Sequence, residues 1–403
     1  MAREWSNWNI FMLTICLLIA WNYWVPLAVV NPFSTRNLPF SQYGTDSADF
    51  HTFYLAGGSW LSEANPYNLN GRPTPFIYPP TSLPFFGVFA KLDFRTASQL
   101  WAVLYFGVFA FALLALAFTL KGDKRYVFVS VAVLLFLTSY PLFILFQLGQ
   151  IDLLLSSLTV LSLVSQRLKH ESVSAVLLSI ATLLKGSPAL LLIYFVLYRR
   201  DLKYLARFAL STIIVVGGSL LIVPVGVYSY WIVNVFPILS SAYALESNQS
   251  ITQIVANAHL SQITPAITFI GYGVFAIFAL WAGSKKPDKG FTVLRADTMF
   301  LLNILIMLLF GSKTNVYSYV WVILPVALLI STLLVQQAKI KYFIPVCAGA
   351  FLLNSVLSPD FLNYRTLPLA LLGNLTSTLI LIQIYMRPAA VMKPATAFVR
   401  KTS

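Results

Sequence analysis

Long apolar runs separated by short, mostly basic loops are the feature that most limits what this chain can fold into. Charged residues make up 10% of its 403 residues and hydrophobic residues 58%, whereas soluble domains carry about 25% charged residues. An apolar run of about 20 residues is long enough to cross the hydrocarbon core of a bilayer as a helix. We therefore expect an all-α integral membrane protein.

Twelve apolar segments are predicted to cross the membrane. They lie at about 10–30, 97–119, 126–146, 151–165, 172–184, 188–198, 204–223, 264–283, 296–311, 317–335, 342–357 and 366–386. The run 78–89 is interpreted as interfacial, because counting it as a span would place the basic loop 121–125 outside. The result is a single helical-bundle domain over 1–386, with outer loops at 31–96 and 224–263 that carry interfacial helices, and a short basic tail at 387–403.

The distribution of basic residues sets the predicted orientation. If the N-terminus is cytoplasmic, the predicted inner segments together carry the whole formal net charge of +14, and the outer segments are neutral as a group. Short loops rich in Lys and Arg stay on the cytoplasmic side. Both termini are therefore predicted to be cytoplasmic, and the basic charge indicates topology rather than a nucleic-acid-binding surface.

Two carboxylates, Asp46 and Asp49, lie among aromatic residues in the first outer loop. Acidic residues are scarce, 13 in all, so such a pair at a membrane surface is a candidate for acid–base chemistry. Burial would raise the pKa of Asp49 towards the working pH, as a general base requires. The structural alternatives are a helix cap, which suits Asp46 better, and a pairing of Asp49 with Arg72 or Arg95.

Lys185 lies between two apolar segments, 172–184 and 188–198, that are too short to cross about 30 Å of hydrocarbon. Its side chain is predicted to lie below the outer surface and to face a water-filled cavity, because a submerged ammonium needs a partner or water. Pro188 starts the next helix, whose N-terminus also favours an anion. Lys185 is a candidate phosphate ligand, or else a lysine that extends to the interface.

Other polar and aromatic residues near the predicted outer ends of spans are candidates for substrate binding. Gln150 and Asp152 lie at the start of a span and are both candidates. Asp152 could cap the helix or bind a sugar hydroxyl. Tyr54 and Tyr78 could stack on a sugar, although interfacial aromatic residues need no ligand. No His, Cys or carboxylate cluster has metal-ligand spacing, and no nucleotide-binding fingerprint occurs, so the sequence demands neither a metal nor a nucleotide cofactor.

A series of short motifs runs in order over about residues 45–255. They are Asp49-Phe50 with Tyr54 and Ala56, Asn65-Pro66-Tyr67, Tyr78-Pro79-Pro80, Gly149-Gln150, Lys185-Gly186-Ser187-Pro188, Tyr198-Arg199-Arg200 and Asn248-Gln249-Ser250. Together they resemble glycosyltransferase family 87 (DUF2029), which belongs to the GT-C superfamily of membrane glycosyltransferases and includes polyprenol-phosphate-mannose-dependent mannosyltransferases.

The resemblance implies transfer of a hexose, mannose above all, from a polyprenyl phosphate to a lipid or glycan acceptor, with inversion, on the outer face of a bacterial inner membrane. It implies that Asp49 is the base, that Lys185 binds the donor phosphate, and that Asn248 and Gln249 line the donor or acceptor pocket. The segment 312–319 departs from the family pattern, and its Lys313 is interpreted as a second phosphate contact.

Two other functions fit parts of the sequence. A secondary transporter for a sugar or an anion would also need a submerged Lys185 and Asp152 beside a broken helix pair, but it would keep its polar residues at the bilayer midplane between internal repeats. A polymerase or ligase of lipid-linked glycans would place catalytic Arg or His residues in a late loop, where 224–263 offers only His259.

Overall fold

The computed structural model describes residues 49–69, 75–240, 248–285, 291–336, 338–354 and 369–391, and within them the chain forms helices and turns without a β-strand. Its α-helices are α1 (Asp49–Leu61), α2 (Leu83–Ala90), α3 (Phe94–Phe118), α4 (Asp123–Leu137), α5 (Tyr140–Leu148), α6 (Asp152–Arg167), α7 (Glu171–Leu184), α8 (Leu202–Leu220), α9 (Val225–Tyr230), α10 (Phe236–Ser240), α11 (Ile251–Asn257), α12 (Thr264–Ser284), α13 (Thr292–Phe310), α14 (Ile323–Val335), α15 (Ile340–Asn354), α16 (Leu369–Met386) and α17 (Pro388–Val391). Short 3₁₀-helices at Pro80–Ser82, Ser187–Leu191, Ser261–Ile263 and Val316–Val322 and π-helices at Ile193–Tyr198 and Trp231–Val235 join them.

The described residues contain five helices that are long and apolar enough to cross a membrane. They are Phe94–Phe118, Leu202–Leu220, Ser261–Ser284, Thr292–Phe310 and Val316–Val335. The pair α4 and α5 is a sixth candidate, bent by 59° at a break that Pro141 follows. The expected all-α membrane protein is confirmed, whereas the twelve predicted spans are not.

Three other predicted spans within the described residues are helical but shorter than the roughly 20 residues of a typical bilayer crossing. α6 has 16 residues and α7 has 14, and the predicted span 188–198 is a 3₁₀-helix followed by a π-helix. Apolar composition shows that a segment is buried but not whether protein or lipid buries it. Neighbouring protein buries α6 along nearly its whole length. The predicted span 10–30 lies outside the described residues.

Helix α6 is a central element of the fold. It packs against α3 and α7, and it also contacts the 3₁₀-helix Val316–Val322. The hydroxyl of Ser162 donates to the carbonyl of Ser174 at 2.8 Å and lies 3.2 Å from Tyr204 Oη, so polar contacts join α6, α7 and α8. Small hydroxyl residues suit such places, because they let helices approach closely and form hydrogen bonds in apolar surroundings.

The hairpin of α1 and α2 is fixed to α3 by close backbone packing and aromatic contacts. A Cβ atom at Gly57 of α1 would lie 2.7 Å from the Phe86 carbonyl of α2, so the two helices meet at a glycine. The Phe50 ring stacks on Trp101 of α3 at 5.4 Å between centroids. The Trp101 indole also donates to Gly149 O at 2.8 Å, which ties this hairpin and α3 to the turn between α5 and α6.

Alanine at Gly57 should separate α1 from α2 and destabilise the protein. The added methyl group would collide with backbone atoms of Phe86, which cannot rotate away. We expect a loss of about 1–3 kcal/mol in the free energy of unfolding, measured as a lower thermal midpoint in detergent. Gly58→Ala is the matched control, because its Cβ atom would lie 3.9 Å from the nearest atom, Ala90 Cβ. That variant should gain up to about 1 kcal/mol from helix propensity, and equal effects of the two variants would contradict the packing described.

Candidate active site

The turn between α5 and α6 places two polar side chains beside the start of α1. Gly149 ends α5 with a φ of 67°, in the left-handed region that favours glycine. A Cβ atom there would also lie 2.6 Å from Phe50 Cβ, so only glycine lets the turn approach α1 this closely. Gln150 follows the turn, and Asp152 is the first residue of α6.

Asp49, the first residue of α1, is held by Gln150. The Gln150 amide nitrogen donates to Asp49 Oδ2, and Tyr78 Oη donates to Gln150 Oε1 at 3.2 Å. Burial raises the pKa of Asp49 to about 6, against the opposing effects of the Gln150 hydrogen bond and the Lys185 charge. The carboxyl group is therefore ionised at neutral pH yet more basic than an ordinary aspartate, as a general base requires.

Asp152 and Lys185 form an ion pair next to this carboxylate. Lys185 Nζ lies 2.7 Å from Asp152 Oδ2, and the Trp321 indole donates to Asp152 Oδ1 at 3.0 Å. The Asp152 side chain is 2% exposed, but that of Lys185 is 25% exposed. Both carboxylate oxygens are thus satisfied within the protein, while the Lys185 side chain stays partly exposed and its charge is available to an anion.

Tyr317 lies against the same charges. Lys185 Nζ is 5.9 Å from the centre of the Tyr317 ring, and Asn315 Nδ2 donates to Tyr317 Oη at 2.7 Å. Neither Tyr317 nor Trp321 is among the residues predicted from the sequence. The sequence offers one signal for them. Tyr317 and Trp321 lie four residues apart, about one helical turn, in an aromatic-rich segment that follows Lys313.

The motif at 248–250 pairs with the segment 311–315. Gln249 N donates to Thr314 O at 2.6 Å, Asn248 Nδ2 donates to Ser312 O at 3.0 Å, and Tyr319 Oη donates to Gln249 O at 2.8 Å. Asn248 and Gln249 are both buried by this pairing. Their backbone and side-chain contacts anchor the segment that carries Asn315, which donates to the Tyr317 hydroxyl beside Lys185.

Lys313 stands in this anchored segment. Burial lowers the pKa of its ammonium group to about 8. A lysine with such a pKa still carries its charge at neutral pH, so it can serve as an anion contact there and lose that capacity at moderately alkaline pH.

The remaining predicted site residues lie elsewhere. The Tyr54 hydroxyl donates to Leu92 O at 2.8 Å and its ring contacts Phe94, which places it in the packing of α1 against the start of α3. Asp46 lies outside the described residues, as does Arg72, and within them Arg95 forms no ion pair with Asp49. The described part of the chain also has no group of three His, Cys, Asp or Glu residues that could hold a metal ion.

Comparisons with known proteins agree with the resemblance noted in the sequence. The family model of glycosyltransferase family 87 matches residues 76–310, which is more than half of the chain. The chain is also 24% identical over 370 residues to the polyprenol-phosphate-mannose-dependent alpha-(1-2)-phosphatidylinositol mannoside mannosyltransferase of Mycolicibacterium smegmatis (strain ATCC 700084 / mc(2)155), an alignment covering 86% of this chain and 80% of that protein. The family match includes Gln150, Asp152 and Lys185, whereas Asp49 and Lys313 lie outside its limits.

A double-mutant cycle on Asp152 and Lys185 should show strong coupling. Lys185→Met leaves the buried Asp152 carboxylate without its cation and should lower the free energy of unfolding by about 3 kcal/mol or more. Asp152→Asn leaves a partly exposed ammonium group and should cost less. The double variant should lose less than the sum, with a coupling energy of about 1–3 kcal/mol, measured by unfolding in detergent.

The ion pair of Glu171 and Arg207 is the control for this cycle. Its atoms approach to 2.5 Å, but its side chains are 41% and 33% exposed. Water screens such a pair, so its coupling energy should stay below about 1 kcal/mol. Equal coupling in the two cycles would mean that Lys185 and Asp152 are not a specially buried pair.

Proposed function

The chain belongs to glycosyltransferase family 87 and is a multi-pass membrane glycosyltransferase, and from this premise we propose that it moves a hexose, specifically mannose, from a polyprenyl phosphate to a hydroxyl group of a lipid or glycan. The observation that carries the proposal is the cluster in which the Asp49 carboxyl group, whose pKa burial raises to about 6, lies near the partly exposed side chain of Lys185. Gln150 bonds Asp49 and Asp152 bonds Lys185. Because Gln150 and Asp152 are only two residues apart in the chain, they link the carboxyl group to the ammonium group.

Asp49 is proposed as the general base. In a displacement with inversion, the acceptor hydroxyl oxygen attacks the anomeric carbon while its proton passes to a carboxylate on the same side. One base is sufficient, because no second carboxylate is needed as a nucleophile, unlike in retaining glycoside hydrolysis. The raised pKa of Asp49, about 6, gives it the proton affinity that this step requires.

Lys185 is proposed to receive the leaving group. As the bond between the anomeric carbon and the phosphate oxygen breaks, its electron pair stays on the phosphate and negative charge grows there. An ammonium group held in advance stabilises that charge without having to reorganise. Asp152, itself fixed by the Trp321 indole, holds the ammonium in place. Lys313 is proposed as a second phosphate contact, because it lies on the anchored segment 311–315 that leads to Tyr317 beside Lys185.

A lipid-linked donor suits a protein whose helices lie in a bilayer, and the mannose-dependent relative supports the choice of sugar. We further propose the fuller topology expected from the basic loops, with up to twelve crossings in one domain over 1–386, both termini in the cytoplasm, and the site on the outer face of the inner membrane. The acceptor would then be a component of the cell envelope, and catalysis would need no resident metal.

Asparagine at Asp49 should abolish transfer without unfolding the protein. The amide has nearly the same shape but cannot take a proton, so the rate should fall at least about 100-fold. The measurement is transfer by purified protein in liposomes, with labelled polyprenyl-phosphate mannose as donor and a membrane lipid extract as the acceptor pool.

Asp93→Asn is the matched control for this variant. Asp93 caps α3 by accepting a hydrogen bond from Thr96 N at 3.0 Å, and asparagine caps a helix equally well. This variant should keep the wild-type rate. A folded Asp49→Asn protein that also kept the wild-type rate would remove Asp49 as the base, and a wild-type protein inactive with every polyprenyl-phosphate sugar would contradict the proposed function.

The rate of transfer should be highest near neutral pH and should fall at both acid and alkaline pH. Asp49 acts as a carboxylate, so the rate should rise with pH through about 6, the pKa that burial gives it. Lys313 binds phosphate only while charged, so donor binding should weaken above a pH of about 8. Arginine in place of Lys313 keeps its charge at alkaline pH. Lys313→Arg should therefore abolish the fall in rate above pH 8 and leave the rise through about pH 6 unchanged. A rate that is flat between pH 5 and 7 would contradict the role of Asp49.

A further inference from the structure

Tyr78 and Gln150 are candidates for substrate binding when the sequence is considered alone, but their contacts point to a different role. We infer that Gln150, oriented by Tyr78, is a positioning residue that holds the carboxylate of Asp49 in place for proton transfer. Asp49 is a base only if the proposed function holds, so this assignment rests on that function. The geometry itself does not depend on the identity of the sugar or of the acceptor.

Both ends of the Gln150 amide are occupied by protein groups. Its oxygen accepts a hydrogen bond from Tyr78 Oη at 3.2 Å, and this bond turns the amide nitrogen towards Asp49 Oδ2. Gln150 exposes only 4% of its surface and Tyr78 only 7%. A buried amide with both ends engaged in this way is poorly placed to bind a substrate, whereas it suits the orientation of a neighbouring carboxylate.

The backbone that carries Gln150 is fixed to α1 as firmly as its side chain. Gly149 approaches so closely that a Cβ atom would lie 2.6 Å from Phe50 Cβ, and Gly149 O accepts the Trp101 indole hydrogen at 2.8 Å. Tyr78 is held in turn, because its carbonyl accepts the Tyr67 hydroxyl at 3.0 Å. Each member of the chain from Tyr78 through Gln150 to Asp49 therefore has a defined position.

The same contact should set how readily Asp49 takes a proton. The hydrogen bond from Gln150 stabilises the carboxylate and so lowers the pKa of Asp49, as does the charge of Lys185. Asp152 and the hydroxyl groups of Tyr78 and Tyr317 are the other titratable groups coupled to it. Removal of the Gln150 donor should therefore raise the pKa of Asp49, and a carboxylate in its place should raise it as well, because like charges repel.

The test is the pH dependence of Asp49 modification by a hydrophobic carbodiimide, which reacts with the protonated carboxyl group. Purified full-length protein in liposomes is treated at pH values from 4.5 to 9, and the adduct on Asp49 is measured by mass spectrometry. Wild-type modification should be half-maximal at a pH near 6. In Gln150→Met, which keeps the shape but loses the donor, and in Gln150→Glu, the midpoint should move up by about one pH unit.

Tyr78→Phe provides a variant that leaves Gln150 in place. The Gln150 amide loses the contact that orients it, so the pH midpoint of Asp49 modification should also move up, by a smaller amount. If the Gln150 variants fail to fold, this variant tests the assignment by itself. Tyr385→Phe removes a buried hydroxyl that donates to Ala282 O and belongs to no contact of Tyr78, Gln150 or Asp49, so its midpoint should match the wild type. Midpoints that stay unchanged in Gln150→Met and Tyr78→Phe would overturn the assignment.

Transfer kinetics separate a positioning role from substrate binding. Under our assignment the acid limb of the rate profile shifts together with the modification midpoint, and the KM for the donor changes by less than about twofold. An increased KM with an unshifted limb would instead make Gln150 a substrate contact. If the wild-type protein transfers no sugar but the midpoints shift as expected, the proposed function fails while the orientation of Asp49 by Gln150 stands.

Discussion

The ion pair between Lys185 and Asp152 is the interaction on which the rest of the site depends. A carboxylate that is 2% exposed is costly to bury unless its charge is matched and its oxygens are hydrogen-bonded, and the Lys185 ammonium and the Trp321 indole satisfy both needs. These residues come from the start of α6, the end of α7 and the 3₁₀-helix Val316–Val322. The pair therefore brings together segments that are far apart in sequence, and Gln150 reaches Asp49 from the same short stretch as Asp152.

Two carboxylates in one cluster acquire different roles from their partners. Asp152 is bound by a cation and an indole, so it is committed to holding Lys185. Asp49 is bound by a neutral amide, and burial leaves it with a pKa of about 6. A carboxyl group in the second environment can exchange protons near neutral pH, whereas one in the first serves mainly as a counter-charge.

Most residues of the cluster around Asp49 and Lys185 could be selected from the sequence, by their chemistry and by their positions in the predicted loops and at span ends. Asp49 stood out because carboxylates are scarce, Lys185 because it lies between two short apolar segments, and Gln150 because it lies near the outer end of a predicted span. The structure brings the three together. The parts played by Trp321 and Tyr317 were not predictable, because they depend on contacts between segments more than 100 residues apart. The pairing of Lys185 with Asp152 spans 33 residues and depends on how α6 and α7 pack, which the sequence does not show. The count of twelve spans is not confirmed for a related reason, since a helix buried by other helices is as apolar as one buried by lipid.

The most direct test of the account is a structure of the protein with a polyprenyl phosphate bound. We predict a phosphate oxygen within about 3 Å of Lys185 Nζ, with the Lys185–Asp152 pair intact and Asp49 on the opposite side of the position where the anomeric carbon would lie. A phosphate bound away from Lys185, with Asp49 turned away from the lipid headgroup, would contradict the account.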